Sequence, residues 1–125
     1  MTAVPETPGA PKRLLKRSEF LRAARGSRTG RSAFSLQAVA SSLPEPRLGF
    51  TVTKRIGNAP ERNRIRRRLR AAAQACAGRF QPRHDYVLVG RREALVQPFD
   101  RLVDELSAAI DKINATTAKR PRDPR

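Results

Sequence analysis

The chain has 125 residues, enough for one modest domain. It carries 27 Lys and Arg against 11 Asp and Glu, a formal net charge of +16 that opposes compaction and favours a polyanionic partner. An apolar fraction of 38 %, with no Trp, supports only a small core, and one cysteine rules out an intramolecular disulfide. No segment has the pattern of a signal peptide or the length of a membrane span, so a cytoplasmic protein with no membrane partner is expected.

Residues 1–11 are Pro-rich and are expected to form a disordered arm. A short helix is expected over 19–25, capped by Ser18 and stopped by Gly26. Seven residues do not hold as an isolated helix, so it must dock on something. Residues 27–31 read as a basic linker. Residues 32–40 alternate, with Phe34, Leu36 and Ala38 on one face and Ser35, Gln37 and Val39 on the other, a half-buried strand. Two prolines break it at 41–46, a loop of hairpin length. Residues 47–54 alternate again, with Leu48, Phe50 and Val52 inward and Gly49, Thr51 and Thr53 outward. These two strands are expected to pair antiparallel.

The central helix follows. Asn58 with Glu61 three residues later is a capping-box pattern, and Pro60 sits in the first turn. Ile65, Leu69, Ala72, Ala73 and Cys76 then recur at helical spacing on one side. Six of the nine residues from 62 to 70 are arginine. Asn63, Arg64, Arg67 and Arg70 face away from the apolar stripe, and Arg62, Arg66 and Arg68 flank it. The helix has no acid after Glu61, unlike an ordinary solvated face of mixed sign. Guanidinium groups grip phosphate bidentately and stack on bases, so this face points to nucleic acid. The helix fades near Gly78. Residues 85–90 read as a buried strand and 91–97 as a loop. An amphipathic helix is expected over 98–115, from the spacing of Phe99, Leu102, Val103, Leu106, Ala109, Ile110 and Ile113. Residues 116–125 are expected to be a disordered basic tail. One α+β domain over 12–115 results, in the order α-β-β-α-β-α, as a small two-layer sandwich on a mixed sheet.

The catalytic inventory is thin. His84 is the single histidine, and its better reading is a surface residue. Asp100, Asp104, Glu105 and Asp111 form the polar face of the last helix. Neither a metal-ligand spacing nor a phosphate loop is present, so no catalytic and no metal residue is assigned. A second surface pairs Phe20 with Ser35, Gln37, Thr51 and Thr53. There the ring either stacks on a base of a single strand or simply docks its helix on the sheet.

Gly57-Asn58-Ala59 followed by Arg62-Asn63-Arg64-Ile65-Arg66-Arg67 resembles the signature of the protein subunit of bacterial ribonuclease P. The segments 13–20, 48–57 and 85–89 resemble that family's N-terminal helix entry, its strand leading into the central helix, and its last strand. The resemblance implies a large catalytic RNA as partner, with one protein per RNA. It also implies a holoenzyme that removes the 5′ leader of precursor tRNA by metal-dependent hydrolysis, with Mg2+ held mainly by the RNA. It assigns Arg62, Asn63, Arg64 and Arg67 to the catalytic RNA, with Lys54, Arg55 and Asn58 beside them, and the same helix adds Arg66 and Arg70. Phe20, Ser35 and Gln37 would line a cleft for the leader. It further implies a left-handed β-α-β crossover through the central helix, against the general right-handed preference.

The chain departs from the family pattern in three places. Ala24 and Gln37 stand where other members carry aromatics, which thins the stacking surface. Arg68 stands where an aliphatic residue is common, and is expected to snorkel outward and add a phosphate contact. The competing readings are a ribosomal or RNA-chaperone-like protein, and a DNA-binding module with the helix in the major groove. No heptad zipper follows Arg70 to support a basic-zipper form.

Overall fold

The computed structural model describes residues 12–119, so the expected N-terminal arm and the last residues of the expected tail lie outside it. The elements in chain order are β1 (Lys12–Arg13), α1 (Arg17–Ala24), β2 (Ser27–Gly30), β3 (Phe34–Ala40), β4 (Arg47–Thr51), α2 (Ala59–Ala75), β5 (His84–Gly90) and α3 (Phe99–Lys119). The strands form one mixed sheet in the order β1-β4-β5-β3-β2.

The sheet's centre follows from burial. Tyr86, Val87 and Leu88 are successive buried residues and point to alternate faces, so β5 is covered on both sides. It pairs antiparallel with β3 and parallel with β4. The antiparallel pairing expected between β3 and β4 is therefore replaced, because β5 is inserted between them. The β4-α2-β5 segment is a parallel crossover unit, with α2 as the connection.

One face of the sheet carries Leu36, Ala38, Leu48, Tyr86 and Leu88 and packs with the stripes of α2 and α3. Ile65, Leu69, Ala72, Ala73 and Cys76 are all buried there, as the helical spacing predicts. Each Leu or Ile contributes about 1.5–3 kcal/mol by leaving water. Burial pushes the Cys76 thiol pKa up, in keeping with a structural residue. The opposite face carries Val39, Val87 and Val89, on which α1 sits with Leu14, Phe20 and Ala23.

Several elements differ from expectation. The expected linker at 27–31 contains a strand, β2, paired antiparallel with β3. Ser27 and Thr29 are buried on alternate positions, but small polar residues give no apolar alternation to detect. Ser18 does not cap α1, which begins at Arg17; Glu19 instead accepts hydrogen bonds from the Lys16 and Leu15 backbone N–H groups at 3.0 and 3.1 Å. His84 lies in β5 rather than in a loop, its Nδ1 2.9 Å from the Pro82 carbonyl. Residues Arg92–Leu95 form a 3-10 turn within the expected loop, and α3 continues past residue 115 to Lys119.

Candidate nucleic-acid interface

The start of α2 is built before any partner arrives. The Asn58 side chain accepts from the Glu61 backbone N–H, and the Glu61 carboxylate accepts from the Asn58 N–H, both at 2.9 Å. Arg92, from the turn after β5, donates to the Ile56 carbonyl at 2.8 Å and to the Glu61 carboxylate at 3.0 Å. The Arg92 guanidinium, aided by the Asn58 N–H, holds the Glu61 carboxyl below the usual carboxylate range. Gly57 has extended backbone that any residue adopts, so its role is space: a Cβ there would collide with the Glu61 carboxylate and the Arg92 guanidinium. Arg62 closes the turn by donating to the Gly57 carbonyl at 2.6 Å.

The six arginines of α2 have different fates. Arg68 turns inward and donates to the carbonyls of Ala94, at 2.9 Å, and of Leu95 and Gln97. The outward snorkel expected of Arg68 is therefore wrong; its guanidinium satisfies the backbone of the turn that leads into α3. Arg66 donates to Asn63 at 3.0 Å, and the Arg70 guanidinium carbon lies 5.3 Å from the Phe50 ring centroid. Arg64 and Arg67 are exposed, one helical turn apart, and neither makes an ion pair or hydrogen bond among the described residues. Lys54 and Arg55, in the 3-10 turn before α2, are likewise exposed and unpaired among the described residues. A row of uncompensated cations thus runs along the clamped N-terminal half of α2.

The second surface lies on the α1 face of the sheet. The registers align Ser35, Val89 and Thr51 in one row across β3, β5 and β4, and Gln37, Val87 and Gly49 in the next. Phe20 is half-buried, with its ring directly over Gly49, where a Cβ would run into it. Phe20 therefore docks α1 and also keeps part of its ring open. Ser35 and Gln37 share its face but are only 6 % and 7 % exposed. The accessible floor of the cleft is Val89 and Thr51, both half-buried, and Thr53 falls beyond the end of β4.

A charged network holds α1 in place. Asp85 is fully buried and takes two hydrogen bonds from Arg47, at 2.9 and 2.8 Å, and one from Arg22, at 2.8 Å. Arg47 also donates to Glu19 at 2.7 Å. The Lys16 and Leu15 N–H groups, with Arg47, hold the Glu19 carboxyl at about 2. Asp85 and Glu19 raise the Arg47 pKa further.

Sequence reasoning singled out none of Arg13, Arg47, Phe50, Asp85 and Arg92 as functional or supporting residues. A lone acid opening an apolar strand was the available signal for Asp85. For Arg92 none existed, since its partners are 31 and 36 positions away. Among the described residues, no group of three or more His, Cys, Asp or Glu is placed to hold a metal ion, and no helix is long and apolar enough to cross a membrane.

The family described as Ribonuclease P matches residues 9–114. The chain is 44 % identical over 108 residues to the ribonuclease P protein component of Brucella suis, covering 78 % of this chain and 77 % of that one. It is 44 % identical over 107 residues to the same component from Ruegeria pomeroyi, covering 82 % and 86 %. Its fold is similar to that of the RNase P protein from Thermotoga maritima, with a TM-score of 0.70 at 21 % identity, covering 82 % and 97 %.

Proposed function

The chain belongs to the ribonuclease P protein family, and from that premise we propose that it serves as the RNA-binding subunit of a tRNA-processing endoribonuclease. Its α2 face docks on the catalytic RNA through Lys54, Arg55, Asn58, Arg62, Asn63, Arg64 and Arg67, with Arg66 and Arg70 at the margin. The cleft between α1 and the sheet receives the single-stranded 5′ leader of precursor tRNA. The holoenzyme works in the cytoplasm with one protein per RNA.

The observation that carries this reading is the row of exposed, unpaired cations on a helix whose N-terminus is already capped and clamped. A helix whose start is already ordered meets phosphates without the cost of ordering its backbone, so only the arginine rotamers remain to be fixed on binding. The chain's own residues bind, orient and distinguish. In this reading the Mg2+ ions that activate the hydrolytic water are held mainly by RNA oxygens.

Reconstitution tests the proposal. Added to a bacterial ribonuclease P RNA with precursor tRNA at low magnesium, the protein is expected to raise the cleavage rate. Absence of any gain would overturn the reading in favour of a ribosomal or RNA-chaperone-like protein. Phe20→Ala is expected to cut the preference for precursor over mature tRNA by about 1–3 kcal/mol. Equal losses for both RNAs would leave Phe20 as a packing residue alone.

A further inference from the structure

The two surfaces meet at one edge of the sheet. β1 pairs with β4 only at Lys12 and Arg13, so β4 runs on beyond its partner. A cavity of about 190 Å³ opens there. Its walls come from both sides: Phe20 from α1, Arg66 and Arg70 from α2, Arg13 from β1, and Gly49 and Phe50 from β4. Arg70 is already seated on the Phe50 ring. Arg13 is exposed and makes no ion pair among the described residues, and no acid lines the cavity.

We propose that this cavity is a single-nucleotide pocket for the leader strand. It rests on the leader cleft proposed above and extends it around the β4 edge. The strand crosses the row Ser35-Val89-Thr51, whose Val89 and Thr51 are accessible, passes the Phe20 ring that covers Gly49, and turns over β4. One base stacks on the Arg70–Phe50 pair, and the flanking phosphates meet Arg13 and Arg66.

Three considerations support this occupant. Unstacked bases bind aromatic rings and guanidinium planes, and the pocket presents both in contact. The volume falls below the roughly 300–1,000 Å³ of sites that enclose a whole small ligand, which suits one unit of a longer chain. The wall from Phe20 makes the pocket continuous with the cleft face, whereas Arg64 and Arg67, the open cations of α2, line none of it.

The test uses the full chain assembled with a bacterial ribonuclease P RNA and three ligands: mature tRNA, a precursor with a one-nucleotide leader, and a precursor with a longer leader. Phe50→Leu keeps an apolar side chain and removes the ring. Arg13→Gln changes an exposed side chain, so it reports even if Phe50→Leu fails to fold. Each variant is expected to weaken long-leader precursor binding about tenfold relative to the other two ligands. Unchanged long-leader binding in Arg13→Gln, or equal losses for all three ligands, would overturn the pocket; the second pattern would assign these residues to the catalytic RNA. Wild-type protein that shows no preference for either precursor over mature tRNA would overturn the leader cleft itself, which is a separate failure.

Discussion

Arginine does opposite work at the two ends of this molecule. Around Asp85, Arg22 and Arg47 are neutralised by the chain's own acids, and the Asp85 carboxylate they share is fully buried. On α2, Arg64 and Arg67 have no acid to meet among the described residues and remain exposed. The excess of positive charge is therefore unevenly spent. Acids sit where an arginine must hold two elements together, and are missing where an arginine must stay available. Arg68 shows that the division runs through a single helix, since it lies beside Arg67 yet is consumed by backbone carbonyls. Charge counting alone treats these residues as equivalent; partner geometry separates them.

Substitutions should separate them as well, ranked by their effect on folding. Asp85→Asn leaves two guanidinium groups without their buried counter-charge, and is expected to cost about 3–5 kcal/mol in urea unfolding. A cost below about 1 kcal/mol would mean that water already screens the network. Arg68→Met keeps the stem but strands three carbonyls, with an expected loss of about 1.5–3 kcal/mol and little change in RNA affinity. A large affinity loss with normal stability would restore Arg68 to the RNA face.

A smaller effect is expected at Glu19, and it depends on pH. Its carboxyl is held at about 2 in the folded chain against an ordinary 4.5. A depressed folded value means the stabilisation is present above about pH 4.5 and is lost as pH falls toward 2. Glu19→Gln should flatten stability across that window, and an unchanged acid limb would argue against the Lys16 and Arg47 contacts. The smallest effect on folding is expected for Arg64→Ala with Arg67→Ala, within about 0.5 kcal/mol. The same double variant should reduce the salt dependence of RNA binding by about two phosphate equivalents. An unchanged slope would remove both residues from the phosphate contacts.

What could be read from sequence follows the range of the interactions. The α2 start was legible because Asn58, Pro60 and Glu61 act within one turn, and the buried stripe because it repeats at helical spacing. The family resemblance added the leader cleft, and the structure sets Phe20 on the same sheet face as Ser35 and Gln37. Sequence did not reveal that α1 and the surrounding strands bury Ser35 and Gln37 to over nine-tenths. Nor did it reveal the insertion of β5, because strand order depends on which strand needs cover on both faces. Arg68 was misread because its acceptors lie 26 to 29 positions away, and nothing in the local pattern marks one arginine of a run as the one that turns inward.

Asp85 is the second residue of β5 and Arg92 follows its end, and the first anchors α1 while the second clamps the entry of α2. A chain emerging from the ribosome makes both helices before it makes that strand. Until residue 92 is available, neither surface has its fixings and the central ladder is incomplete. Maturation is therefore gated by a late, non-local step, which slows folding relative to a helical protein of this size. A nascent chain halted before His84 would carry the whole arginine helix, yet without the strand that orients it and without the anchor that seats α1.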